Sequence, residues 1–326
     1  MRPDLSVLLL TTLIGAGQGL YLALVTVQVY ALFGLLPAQD GRAFFAPGSA
    51  IALVLLVTGL AASFFHLGRP ERAWRSAAKW RTSWLSREVI VLPAFIGLVF
   101  VSGVAHFLRY GPVLAELPSG IPVDATVVLG LVGTVLAFAL FLCTGMIYAS
   151  LPFLREWASP FTVVNFTLMG GASGFTLAAA FSVWTAPSLT PFLAAWALIL
   201  TLLAFAGRSA SLVRNAKLRP KSTLQTAIGI KHPRIVQTSQ GFLGGSFNTR
   251  EFFHGRSRGF LRSIRWLFPV AAFAIPAALL AAFVAGAGAV LLPVAAVVQY
   301  AGLLAERWFF FAEANHPQNL YYQAIG

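Results

Sequence analysis

The chain has 326 residues, of which 58% are hydrophobic and only 10% charged, with 23 Lys and Arg against 10 Asp and Glu and a mean hydropathy of +0.79. A soluble domain carries about 25% charged residues, so this composition excludes a soluble enzyme, a disordered chain and a secreted disulfide scaffold. A single cysteine, Cys143, allows no internal disulfide and cannot supply the roughly four ligands an iron–sulfur cluster takes.

In chain order, eight apolar runs approach or exceed the roughly 20 residues a helix needs to cross a bilayer. They cover 5–36, 48–68, 89–108, 124–153, 161–184, 190–206, 266–286 and 288–310. The first is too long for a signal-peptide core and is read as a span. The last two meet at Gly286-Ala287-Gly288. Backbone polar groups in hydrocarbon must be satisfied within the segment, so the expected fold is an all-α integral membrane protein, a bundle of eight transmembrane helices. Gly15 with Gly19 and Gly170 with Gly174 form small-xxx-small pairs that suit close helix packing. The organisation expected is helices 1–6 over 1–206, a basic insert over 207–265, and helices 7–8 with a tail over 266–326.

The basic residues divide sharply. The connections after spans 1, 3, 5 and 7 hold Arg42 and Arg109; the other 21 of the 23 lie at the termini or in the even-numbered connections. The positive-inside rule then expects a multi-pass protein of a bacterial cytoplasmic (inner) membrane with both termini cytoplasmic. The positive charge is topology and attraction to membrane lipids, not a nucleic-acid signal. The insert carries twelve basic residues and one acid, Glu251, with Phe242, Phe247, Phe252, Phe253 and Phe260 interleaved. It reads either as a solvated loop drawn to anionic headgroups or as a docking arm for another subunit. The aromatic content favours docking, with Arg234, Phe242, Phe247, Arg250, Phe252 and Phe253 as candidates.

Ionisable residues near membrane depth are functional candidates. Most of the ten acids, including Glu306 and Glu313, fall in connections or tails on this reading, whereas Glu88 sits where span 3 enters the membrane. Span 2 ends at His66, just before Gly68-Arg69-Pro70, because Pro70 cannot continue a helix. Spans 2 and 3 are antiparallel neighbours, so His66, Arg72 and Glu88 can converge at one interface, level with a belt of Trp74, Trp80 and Trp84. The set suits a quinone, whose two carbonyls accept hydrogen bonds and whose reduction takes protons from a titratable relay. The competing reading is that His66 and Glu88 cap helix ends or pair with arginines. A haem b is not expected, since His66 and His106 lie near opposite surfaces; pairing of His66 with the tail histidine His316 is unsupported. His232, His254 and His316 lack the spacing of a metal site.

The stretch His66-Leu67-Gly68-Arg69-Pro70-Glu71-Arg72-Ala73-Trp74, followed by Thr82-Ser83-Trp84-Leu85-Ser86-Arg87-Glu88, resembles the signature of the DMSO reductase membrane-anchor family. The resemblance implies eight membrane helices. It also implies the membrane subunit of a three-part complex, carrying a four-cluster ferredoxin-like iron–sulfur subunit and a molybdopterin catalytic subunit. Such an anchor exchanges electrons with ubiquinone or menaquinone, holds no cluster of its own and does no substrate chemistry. The resemblance implies quinone-binding roles for His66, Gly68, Arg69, Arg72, Trp84 and Ser86, and a proton relay at Glu88. Within the family, the segments Ser222 to Pro233 and Gly241 to Gly255, and the tail from Glu306 to Tyr322, are similar to anchors of sulfite:quinone oxidoreductases. That implies electron flow from cytoplasmic sulfite to quinone. The alternatives are the anchor of an S- or N-oxide reductase oxidising quinol, or a secondary transporter of small anions, although no internal repeat supports the transporter.

Overall fold

The computed structural model describes every residue except 117, 119, 220–221, 239–251 and 321–326. Among the described residues, eight helices are long and apolar enough to span a bilayer. They are α1 (Leu5–Leu32), α2 (Gly41–Phe64), α3 (Trp84–Leu108), α4 (Ala125–Ala149), α5 (Pro160–Thr185), α6 (Thr190–Ala216), α7 (Arg258–Val284) and α8 (Leu291–Glu313). A two-stranded antiparallel hairpin, β1 (Val113–Glu116) and β2 (Pro122–Asp124), fills the connection from α3 to α4. A 3-10 segment, Pro70–Lys79, joins α2 to α3. The chain is an all-α integral membrane bundle, as the apolar runs require.

Helix starts follow from capping. The side chains of Asp4, Ser83, Asp124, Ser159 and Ser257 each accept a backbone N–H from the first turn of α1, α3, α4, α5 and α7. Three boundaries differ from the sequence expectation in ways that matter. The Ser83 cap starts α3 at Trp84 rather than at 89, which places Glu88 a full turn inside the helix. α6 runs on to Ala216 instead of stopping at 206, carrying Arg208 within the helix rather than in the insert. α7 likewise begins at Arg258, and its first turns are strongly amphipathic.

α1 and α5 form the centre of the bundle and are the most buried spans. Their crossing is made by glycine. A Cβ on Gly19 would overlap the Gly170 carbonyl oxygen, and one on Gly174 would overlap the Gly19 backbone. The two backbones touch, as the small-xxx-small spacing anticipates. Gly302 of α8 lies against the Ala272 backbone of α7 in the same way. Gly19→Ala should therefore destabilise the bundle by about 1–3 kcal/mol through overpacking. Thermal unfolding in detergent reads this out, and an unchanged midpoint would contradict the close approach.

Polar groups within the spans are mostly partnered. Gln18 Nε2 donates to the Ala137 carbonyl at 2.9 Å and Gln299 Nε2 to Thr201 Oγ1 at 3.0 Å. On the face with few charges, Arg109 pairs with Asp40 at 2.7 Å, and Arg42 Nε donates to the Phe107 carbonyl at 2.6 Å. His106 is buried at that end, stacked on Phe45 with ring centroids 4.6 Å apart, so it is a packed interfacial histidine.

Candidate functional site

The turn after α2 places His66 beside the start of α1. Ser6 Oγ lies 3.1 Å from His66 Nδ1 and donates to Asp4 Oδ1 at 2.8 Å. Burial pushes the Asp4 carboxyl up, but the hydrogen bonds from Ser6 and the nearby His66 and Arg2 outweigh it and hold that carboxyl below its usual range. His66 is otherwise exposed. The 3-10 segment leads on through Arg69 and Arg72, both exposed; Arg72 Nε sits 3.7 Å from Glu71, a surface pair that contributes little. Gly68 has open space around it. The segment is fastened to α3 by Ser86 Oγ, which donates to the Ser76 carbonyl, and by Arg87, which donates to the Trp80 and Arg81 carbonyls. Arg87 also lies over the Trp84 ring, 4.2 Å from its centroid.

Glu88 points into the bundle and is only 8% exposed. Its hydrogen-bond partner is Thr144 of α4, whose Oγ1 donates to Glu88 Oε1 at 2.5 Å. The carboxyl lines a cavity of about 30 Å³ between α1, α3, α4, α5 and α8, with Thr11, Thr12, Gln18, Thr144, Ser173 and Arg307 as its other polar residues. That volume holds one or two waters and not an aromatic ring. His66, Arg69, Arg72 and Trp84 do not line this cavity. The set expected to converge is therefore split into two levels: an exposed group of donors around the α2–α3 turn, and a buried carboxyl behind it.

The sequence reading misses a buried charge cluster that meets the cavity through Arg307. It places Glu306 and Arg307 in the tail and Arg208 in the insert; all three are buried inside helices. Glu306 is fully buried and held between two guanidiniums, with Arg208 Nε at 2.6 Å and Arg307 Nε at 2.5 Å. Arg208 also reaches Glu313 at 3.8 Å, and Asn215 Nδ2 donates to Glu313 at 3.4 Å. Arg307 lies over the Phe166 ring at 4.1 Å, and its Nη1 has no hydrogen-bond partner among the described residues. The signal in the sequence is an acid and a base side by side in a run that stays helical to 313. Two charges at that position are tolerated only if they face protein.

Of the candidate docking residues, Phe242, Phe247 and Arg250 lie outside the described residues. Arg234 is exposed and Phe253 half-buried. Phe252 stacks on His316 of the tail with centroids 3.8 Å apart, and its carbonyl accepts from Asn319 Nδ2 at 3.0 Å. Burial holds the His316 imidazole below its ordinary value. The end of the insert is thus tied to the chain that follows α8.

These features sit in a recognisable lineage. Residues 1–238 match the family model described as DMSO reductase anchor subunit (DmsC). The chain is also 56% identical over 325 residues, covering 100% of both sequences, to a sulfite dehydrogenase subunit of Allochromatium vinosum. Eight membrane helices, the motif at the α2–α3 turn and these matches agree: the chain belongs to the DMSO reductase anchor subunit family, whose members are membrane subunits of oxidoreductases.

Proposed function

We propose that this chain is the quinone-reactive anchor of a three-subunit complex that oxidises sulfite on the cytoplasmic side of a bacterial inner membrane. The observation that carries the reading is Glu88: a carboxyl buried one turn inside α3, on a small internal cavity, in the helix to which the segment carrying the exposed hydrogen-bond donors is fastened. The similarity to a sulfite dehydrogenase subunit supports the substrate, and the division of basic residues, 21 of 23 toward one face, supports the orientation.

Sulfite oxidation to sulfate releases two electrons and two protons in a partner subunit. A quinone, when bound, supplies the complementary chemistry by accepting two electrons and two protons. The head would be held at the α2–α3 turn rather than in the cavity, which is too small for it. There the His66 imidazole and the Arg69 and Arg72 guanidiniums can donate to carbonyl oxygens, Trp84 offers an apolar face, and Gly68 leaves room for approach. Ser6 Oγ, whose own proton goes to Asp4, accepts from His66 Nδ1–H and fixes the ring, and Nε2 donates to a carbonyl when the ring carries both protons. Ser86 positions the loop. Glu88 would relay protons; Thr144 fixes its orientation, and the cavity it shares with Gln18 and Arg307 has room for about one or two waters.

A photoreactive quinone analogue should label the segment between residues 66 and 84. Labelling confined to other helices would overturn the assignment. The same reading expects two larger subunits, carrying molybdenum and iron–sulfur clusters, to copurify with the chain. The basic insert is their dock, so deletion of residues 222–255 should release both partners while the eight helices still insert. Unchanged retention of the partners on membranes would show that the dock lies elsewhere.

A further inference from the structure

We propose that the entry of α7 into the membrane forms a binding site for one anionic phospholipid. Arg258, Arg262 and Arg265 recur at helical spacing on one face of α7, and with His254 they converge on a pocket of about 310 Å³. All three guanidiniums are exposed, and none holds a hydrogen bond or ion pair among the described residues. The acid in the pocket wall, Glu313, is engaged on its bundle side by Arg208 and Asn215. Arg265 also lies within electrostatic reach of Glu313, so among the described residues the pocket gathers three arginines against one acid that Arg208 and Asn215 already engage, with hydrogen-bond donors open to an anion.

A second cavity of about 330 Å³ adjoins it, between α6 and α7, walled by Phe205, Leu212, Trp266, Pro269 and Val270. Arg265 lines both. The polar pocket thus meets an apolar groove at one residue, with Trp266, 71% exposed, marking the interfacial level. A phospholipid divides in the same way, with a phosphate above and an acyl chain below. An acidic partner protein would match the arginines but leave the groove unfilled, and free phosphate would ignore it. Pro269 and the widened helical turn that begins at Val270 form part of this wall. The inference stands independently of where a quinone binds.

The test is native mass spectrometry of the full chain, purified with whatever copurifies, after exchange into nanodiscs of phosphatidylglycerol or phosphatidylcholine. Wild-type protein should retain phosphatidylglycerol in preference to phosphatidylcholine. Each arginine removed should cut that preference about fivefold, and R258Q/R262Q/R265Q together roughly a hundredfold. R265Q alone gives the single-step value should the triple variant fail to fold. Equal retention of the two lipids by wild-type protein would overturn the site. So would displacement of phosphatidylglycerol by inorganic phosphate at matched concentration, which marks a plain anion site. Lipid uptake only after copurifying subunits are stripped away would also overturn it, marking a protein interface.

Discussion

Glu88→Gln is expected to lower quinone reduction by the assembled complex about a hundredfold, the lower end of what a positioned acid–base group contributes. Gln keeps the size of the side chain and can still accept from Thr144, so the bundle and the partner subunits should be retained. The loss should fall on turnover rather than on the quinone concentration needed for half-maximal rate, because the donors at the α2–α3 turn are untouched. Thr144→Val should act in the same direction but more weakly, since it removes only the hydrogen bond that orients the carboxyl. Steady-state sulfite oxidation with a soluble quinone analogue measures both. Full turnover by an intact Glu88→Gln complex would remove Glu88 from the proton path.

The largest stability effect is expected at Glu306. It is the acid held between two buried arginines, and truncating it to Ala leaves Arg307 without its charge partner and Arg208 with only the 3.8 Å contact to Glu313. Breaking such a pair from one side costs about 3–5 kcal/mol. Arg208→Met should cost less, because the pair between Glu306 and Arg307 survives and the Met side chain is at home among Phe268, Phe309 and Phe310, the rings that Arg208 now covers. Thermal unfolding of the two variants in the same detergent gives the comparison. Equal losses would mean that the three charges do not act as one cluster.

Much of this architecture was legible in the sequence because a span announces itself by length and apolarity alone. The glycine contact between α1 and α5 was legible for a related reason: only glycine at that spacing lets two backbones meet. Glu88 stood out as an acid beside a turn rich in basic and aromatic residues. Its true depth did not, since the start of α3 is set by the Ser83 cap and not by the first apolar residue. Thr144 carried no signal, because membrane helices contain many threonines whose hydroxyls simply return to the preceding turn, as Thr134 and Thr176 do. Arg208 and Arg307 were hidden by the usual inference that a charge ends a span. That inference fails when the partner charge comes from another helix, as Glu306 does for Arg208. The pairing between α6 and α8 joins residues 98 positions apart in sequence (306 − 208), beyond any local pattern.

The contact between Gly19 and Gly170 also constrains biogenesis. A nascent chain emerges from its N-terminus, so the first helix waits in the bilayer without its central neighbour until about 150 further residues have been translated. Three intervening helices must be accommodated beside it without filling the groove that the fifth will occupy. The end of the sixth helix then inserts while its arginine still lacks the carboxylate that the eighth will bring. Translation thus ends with the step that neutralises a stranded cation, and a chain truncated before residue 306 should stall as a loosely gathered intermediate rather than a smaller version of the same fold.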